Sequence, residues 1–275
     1  HQHFANADAL GTLAAGGRFV NKGTIRGEIG LAANVGDTSQ VTTFVNEGFA
    51  SLPSLRTSGT APVRFVNEGT LELRGSLVGS TLEFDNAGTI ELAAGVAATL
   101  AGKNGANPLR RFTFRDGTVF SGAGTAALTG ESTFSGTITV TYNQLNLAGT
   151  VYHGNAANFA GALRWGSGDL AGTWTSTATL TASGRSSGPT IGVRDVFDNL
   201  GRFTWSNNLE LREGAVFVNH GTMGPPSTTS SATMLGTAGG VAESVLNFGR
   251  LLAEGGRDAR FMTLDFTNLG VIELR

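Results

Sequence analysis

The chain has 275 residues, with 41 glycines, no cysteine, 15% charged residues and a formal net charge of −2 at pH 7. The lack of cysteine excludes disulfides, thiolate catalysis and zinc–thiolate sites, and the near-neutral charge gives no net attraction for nucleic acid. No apolar run approaches the roughly 20 residues of a membrane span, so we predict no nucleic-acid partner and no membrane insertion in this segment.

One phrase, FVNEGTLEL from Phe65, returns from one end of the chain to the other. Close copies begin at Phe19, Phe44, Phe84, Phe197, Phe217, Val245 and Phe266. The asparagines of the first four copies are 25, 21 and 19 residues apart. Those of the last four copies are 20, 28 and 21 residues apart. A recurring step in this range predicts a solenoid.

Within the phrase, the residues alternate with the period of two that a β-strand requires. Phe65 is predicted to point inward and Val66 outward, and after the turn Leu71 and Leu73 point inward with Glu72 outward. The N-x-G between the two halves indicates a turn in which glycine can take a positive φ. The predicted unit is therefore strand, corner, strand.

A unit this short cannot bury its apolar side alone, so we predict that it stacks in parallel on its neighbours. Stacking places phenylalanine on phenylalanine, in a predicted stack of Phe19, Phe44, Phe65, Phe84, Phe197, Phe217 and Phe266. It also places asparagine on asparagine, where side-chain amides can satisfy one another. The predicted ladder comprises Asn21, Asn46, Asn67, Asn86, Asn199, Asn219, Asn247 and Asn268. A structural role is favoured over a role in ligand contact.

These features predict an all-β fold, a parallel β-solenoid over residues 1–275 with coils of about 19–25 residues. At roughly 4.8 Å of height for each coil, the chain would make on the order of 13 coils. Regular coils are predicted over 19–100, with loops at 34–40 and 53–62. Degenerate coils without the asparagine follow over 101–182, and regular coils return over 196–275.

Two segments rich in glycine and serine are predicted to leave the stack, at 183–190 and at 224–240. The chain ends directly after a full copy of the phrase, which would leave an open solenoid end. We expect a fragment of a longer rod, with assembly through open ends as the alternative.

The repeated F-x-N-x-G-T phrase, together with WGSGDLAGTW from Trp165, resembles the repeats of bacterial exported β-solenoids. These are surface adhesins of the filamentous-haemagglutinin and autotransporter-passenger type. The resemblance implies a right-handed parallel β-helix with three sheets per coil and a location outside the cell, on the bacterial surface. Because the resemblance lies in the residues that stack between coils, it indicates the fold more than it indicates an activity.

The sequence offers no convincing reactive cluster. Paired carboxylates could serve carbohydrate cleavage, and the candidates are Asp195 with Asp198, Asp258 with Asp265, and Asp85. These are interpreted as solvated surface groups, and His153 and His220 as isolated surface histidines. His1-Gln2-His3 would bind copper or nickel only if His1 were the true amino terminus. We therefore predict no catalytic residue, no metal site and no cofactor.

The tryptophans of the middle third admit two interpretations. On the outside of a solenoid, Trp165 and Trp174 could stack on sugar rings, whereas on the inside they would fill the core. Trp205 aligns with Leu73 of the phrase, which favours the inside. Trp165 and Trp174 are accordingly the candidate glycan contacts.

The function favoured by the sequence is a non-enzymatic, extracellular structural or adhesive rod, part of a bacterial surface adhesin or fibre. The candidate partners are a second copy, joined end to end or laterally, and a glycan or protein of a host or matrix surface. The alternative is a polysaccharide-binding or polysaccharide-cleaving β-helix, as in phage tailspikes.

Overall fold

The computed structural model describes residues 2–7, 12–13, 16–27, 29–32, 41–53, 55–58, 62–77, 79, 81–105, 110–141, 145–183, 191–225, 231–237, 241–253 and 258–274. Over these residues the secondary structure is all β, without a helix. The chain divides into two compact units, His1–Thr133 and Phe134–Arg275. Parallel coils follow one another about 21 residues apart, which confirms the predicted β-solenoid.

The described residues make about 10 turns, fewer than the coil length predicts. Individual steps between equivalent asparagines reach 25 and 28 residues. A fixed coil length of about 21 residues therefore overestimates the number of coils.

In the first unit a complete coil contributes three strands, whereas the coil of β8 and β9 has an isolated bridge at Leu77 in the third position. Each of β10, β11 and β12 pairs in parallel with the third strand that follows it, namely β13, β14 and β15. The strands are β1 Gln2–Ala7, β2 Thr12–Leu13, β3 Arg18–Arg26, β4 Ile29–Ala32, β5 Thr42–Asn46, β6 Phe49–Leu52, β7 Leu55–Ser58, β8 Val63–Asn67, β9 Thr70–Leu73, β10 Leu82–Asn86, β11 Thr89–Leu92, β12 Ala97–Ala101, β13 Arg111–Phe114, β14 Val119–Gly122 and β15 Thr125–Thr129.

The second unit repeats this parallel pairing with longer strands that bend around corners. Strand β17 pairs with β19, β19 with β20, and β20 with β23. The strands are β16 Glu131–Val140, β17 Leu145–Ser176, β18 Thr179–Ser183, β19 Ile191–Asn199, β20 Arg202–Asn219, β21 Thr222–Gly224, β22 Ser231–Gly236, β23 Ser244–Asn247, β24 Arg250–Ala253, β25 Asp258–Met262, β26 Asp265–Asn268 and β27 Val271–Leu274.

The copies of the phrase stack in register, so equivalent side chains meet. Phe44, Phe65 and Phe84 occupy equivalent positions of β5, β8 and β10, and their ring centroids are 5.0 and 5.9 Å apart. In the second unit the rings of Phe197 and Phe217 are 5.1 Å apart. These distances lie in the range of favourable aromatic pairs, so the inward-facing rings form a continuous core within each unit.

Two segments predicted as loops contain strands instead. Strand β7 lies within 53–62, and its Leu55 is buried. Strand β22 lies within 224–240, where Ala232 and Met234 are buried and the strand pairs with β20. Two inward apolar residues at alternate positions are enough for a short strand when the neighbouring coil supplies the hydrogen bonds. The predicted loops at 34–40 and 184–190 lie outside the described residues.

The glycine of N-x-G has a different role from the one predicted. Gly69 is not among the residues with positive φ. A Cβ at Gly69 would lie 2.1 Å from the carbonyl oxygen of Gly48, and one at Gly88 would lie 2.1 Å from that of Gly69. In the second unit, Gly221 meets the carbonyl of Gly201 at the same distance. The glycine is therefore required because successive coils approach each other too closely at this corner for any side chain.

We expect Gly69→Ala to destabilise the first unit, because its new methyl group overlaps a backbone oxygen that cannot rotate away. The expected cost is about 2 kcal/mol or more, seen as a fall in Tm of about 5 °C in thermal unfolding. Gly105→Ala is the matched control, since a Cβ there meets no atom within 4 Å. Equal Tm values for the two variants would contradict this role of the glycine.

Candidate functional site

The asparagines of the first unit form a hydrogen-bonded ladder along the stack of coils. Asn21 Nδ2 donates to Asn46 Oδ1 over 2.7 Å, Asn46 Nδ2 to Asn67 Oδ1 over 2.8 Å, and Asn67 Nδ2 to Asn86 Oδ1 over 2.7 Å. The second proton of each Nδ2 is donated to a backbone carbonyl of the next coil, at Phe49, Thr70 and Thr89. Each amide therefore ties a side chain and a turn to the coil that follows.

The second unit contains an equivalent ladder with the same polarity. Asn199 Nδ2 donates to Asn219 Oδ1, Asn219 Nδ2 to Asn247 Oδ1, and Asn247 Nδ2 to Asn268 Oδ1, all over 2.6 Å. In both ladders, each bond between asparagines runs from the Nδ2 of one coil to the Oδ1 of the following coil. The amide dipoles of each ladder consequently point in one direction.

Both ends of the first ladder have partners within the chain. Asn21 Oδ1 accepts a hydrogen bond from the backbone of Gly23 over 3.1 Å. Asn86 Nδ2 donates to Thr118 Oγ1 over 3.0 Å, and this hydroxyl donates to the carbonyl of Asn86 over 2.9 Å. Phe114 takes the ladder position beside Asn86, so Thr118, from the next corner, ends the ladder in place of a fifth asparagine.

Seven of the eight ladder asparagines are inaccessible to a ligand. Asn21, Asn46, Asn67, Asn86, Asn199, Asn219 and Asn247 are all fully buried, whereas Asn268 is exposed. Their donors and acceptors are directed along the stack, so their hydrogen bonds join neighbouring coils.

The candidate glycan contacts Trp165 and Trp174 are both in the core, with 0% of each residue exposed. Trp165 Nε1 donates to the carbonyl of Gly168 and Trp174 Nε1 to that of Ala171. The Trp174 ring stacks on Phe159 at a centroid distance of 4.9 Å. Neither indole presents a face to solvent, so the structure places both rings where a sugar cannot reach them. In the aromatic-rich coils of the second unit, these large rings fill the core that phenylalanine fills elsewhere.

The candidate carboxylates are engaged separately, without a shared site. Asp85 is held between coils by Arg64 at 3.0 Å and Arg115 at 2.6 Å. Asp195 Oδ2 accepts from the backbone of Gly172 over 2.7 Å, and Asp258 pairs with Arg260.

The carboxylate oxygen Oδ1 of Asp198 and the imidazole nitrogen Nδ1 of His220 are 2.9 Å apart. The histidine that the sequence presents as isolated therefore has a carboxylate partner on the preceding coil. Asn199 and Asn219 are in register, and this register carries the His220 side chain above Asp198.

The second unit contains a buried ion network that no sequence motif indicates. Asp169 is 3% exposed and lies over Gly192, which has no side chain. Asp169 Oδ2 lies 2.7 Å from both Arg194 and Arg212, which stack in register on adjacent strands. Glu210 completes the pairing of Arg212. The network links three successive coils on the outer face of the unit.

The environment of Arg212 favours its charged form. Burial alone would lower its pKa, but hydrogen bonds and charge from Glu210 and Asp169 raise the pKa of Arg212 above its ordinary value. A permanently charged arginine paired with a buried carboxylate is a structural device here, because its donors are directed at neighbouring coils rather than at a cleft.

The exposed feature that distinguishes the second unit is its corner stripe, the residues that follow each ladder asparagine. Leu200 is 47% exposed and Phe248 is 44% exposed, and the His220 ring stacks on Phe248 at 5.1 Å and 11°. The complete stripe is Leu200, His220, Phe248 and Leu269.

In the first unit the same positions are mostly charged, as in the Lys22–Glu47 pair at 3.3 Å. The apolar stripe is therefore a property of the second unit and not a requirement of the corner.

No group of three or more His, Asp or Glu side chains able to share a metal ion occurs in the described ranges. The same ranges contain no helix long and apolar enough to cross a membrane. Comparison with protein-family models, curated proteins and solved structures finds no match for this chain.

We expect Asn67→Asp to weaken the first ladder strongly near neutral pH. An ionised carboxylate would be buried, would lack the two protons that Asn67 donates, and would face Asn86 Oδ1 without a donor. The expected loss is on the order of 3 kcal/mol, measured by chemical denaturation beside the parent protein.

The loss should depend on pH, because a protonated carboxyl group donates where a carboxylate cannot. The folded state favours the protonated form, so stability relative to the parent falls as pH rises through the range of carboxyl ionisation. The difference should be smaller at pH 4 than at pH 7. Asn155→Asp, at an exposed position, is the control. A pH-independent difference would contradict the donor role of Asn67.

Proposed function

We propose that this chain is a non-enzymatic structural or adhesive rod that acts outside the cell, as part of a bacterial surface adhesin or fibre. The observation that supports the proposal is that the repeated side chains make their contacts between neighbouring coils. The asparagines bond along the stack, the phenylalanines fill the core, and the motif glycines allow close approach. The resemblance to exported adhesin repeats favours an extracellular setting.

A structural role is also favoured by the partners of the carboxylates. Asp85 and Asp198, from the candidate catalytic set, and Asp169 each pair with a side chain from a neighbouring coil. Such pairs add cohesion between coils, although exposed pairs contribute only about 0–1 kcal/mol each. The polysaccharide-active alternative loses its aromatic contacts, because Trp165 and Trp174 are enclosed.

For self-association we propose a second copy of the chain, bound laterally through the corner stripe. Arg202 lies two residues after Leu200 and Asp198 two residues before it, on opposite flanks of the stripe. A two-fold axis parallel to the stack would place the Arg202 flank of one copy against the Asp198 flank of the other. Apolar side chains would then meet at the centre with complementary charges at the rim.

The non-enzymatic proposal predicts that the purified chain releases no new reducing ends from a panel of neutral and acidic polysaccharides. The matched variant is Asp195→Asn with Asp198→Asn, which removes the two closely spaced carboxylates. Release by the parent protein that the double variant abolishes would overturn the proposal in favour of polysaccharide cleavage.

The self-association proposal predicts that Phe248→Glu with Leu200→Glu lowers the concentration-dependent sedimentation coefficient to that of the monomer. The reason is that each carboxylate would have to be desolvated against an apolar surface. Val241→Glu, at an exposed valine outside the stripe, should leave association unchanged.

Small-angle X-ray scattering separates the two modes of association. A lateral dimer raises the cross-sectional radius of gyration, whereas an end-to-end dimer lengthens the particle at constant cross-section. A parent protein that stays monomeric, or that lengthens only, would contradict the lateral mode.

A further inference from the structure

The second asparagine ladder begins at a position where serine replaces asparagine. Ser176 is the register partner of Asn199. Its carbonyl accepts hydrogen bonds from the backbones of Leu200 and Gly201, both over 2.9 Å. The carbonyl of Asn199 accepts from His220 and Gly221 in the same way. Ser176 therefore holds the ladder position in its backbone but lacks the side-chain amide.

Two buried polar atoms at this point have no hydrogen-bond partner among the residues that the structure describes. They are Ser176 Oγ and Asn199 Oδ1, and both residues are fully buried. Every other accepting Oδ1 of this ladder faces the preceding coil, as Asn219 Oδ1 faces Asn199. With the same direction, Asn199 Oδ1 faces the coil of Ser176, its register partner one coil spacing away.

The serine side chain is too short to close this distance. An asparagine reaches two bonds beyond its Cβ to Nδ2 and makes a rung of 2.6 Å in this ladder, whereas a serine ends one bond beyond its Cβ. Buried polar groups are almost always paired, because a buried group without a hydrogen bond destabilises the folded state. Ser176 Oγ and Asn199 Oδ1 are therefore expected to share a partner. The amide that serine lacks is comparable in size to a water molecule, and buried waters bind where at least two polar groups converge.

We propose that a single ordered water molecule binds between Ser176 Oγ and Asn199 Oδ1 and serves as the first rung of the second ladder. The water donates one proton to Asn199 Oδ1 and exchanges a hydrogen bond with the Ser176 hydroxyl. At the start of the first ladder, the corresponding acceptor Asn21 Oδ1 is instead satisfied by the backbone of Gly23. A buried water is thus part of the structure of the second unit.

A crystal structure of the whole chain at about 1.5 Å resolution or better tests the proposal directly. The expected result is an electron-density peak within hydrogen-bonding distance of both Ser176 Oγ and Asn199 Oδ1. The peak should disappear in Ser176→Asn, whose Nδ2 would donate to Asn199 Oδ1 in its place. No peak in the parent protein, or a direct bond between the two side chains, would overturn the proposal.

Thermal unfolding gives an independent test whose sign distinguishes the alternatives. If the water is present, Ser176→Ala removes one of its partners, and Tm should fall by about 3 °C. If no water binds, the same variant removes an unpaired buried hydroxyl, and Tm should stay equal or rise. Ser183→Ala, at an exposed serine, is the control and should leave Tm unchanged.

Discussion

The side-chain amide hydrogen bond between successive asparagines is the interaction on which the rest of this structure depends. Asn67 accepts from Asn46 and donates to both Asn86 and the carbonyl of Thr89. One residue therefore fixes the register of three coils and closes a turn. A slip by one residue would break the amide bonds and place Val66, instead of Phe65, against the neighbouring rings, so the ladder and the aromatic stack specify the same alignment.

The other repeated residues follow from this alignment. With Asn46 above Asn21 and Asn67 above Asn46, the preceding phenylalanines meet ring to ring. The glycine two residues later comes within contact of the carbonyl of the coil below. The glycine is needed because of proximity and not because of an unusual φ. Ladder, stack and glycine are thus three consequences of a single parallel register.

Where the ladder is interrupted, other side chains join the coils. Thr118 ends the first ladder, and the coils that precede Asn199 contain the stacked rings of Phe159 and Trp174 in their core. Outside the core, Asp169 joins coils through two arginines that lie in register. The surface differs more than the interior, since the corner positions are mostly charged in the first unit and largely apolar in the second. A repeat of this kind leaves its outer corners open to variation, and any specific recognition would reside there.

By itself, the sequence determined the fold class, the residues that stack and the direction that most of them face. Alternation and the recurring phrase are local signals, and a short repeat has only its neighbours on which to bury its apolar side. The tertiary structure decided the features that depend on the order and register in which the coils stack. Strands β7 and β22 form in segments rich in proline, glycine and serine because an adjacent coil offers backbone partners.

The enclosure of Trp165 and Trp174, the pairing of Asp198 with His220 and the network around Asp169 likewise require the alignment between coils. The spacing between equivalent asparagines varies from 19 to 28 residues, so separation along the chain does not reveal which side chains meet. Only the hydrogen-bonded register of the stacked coils assigns them to each other.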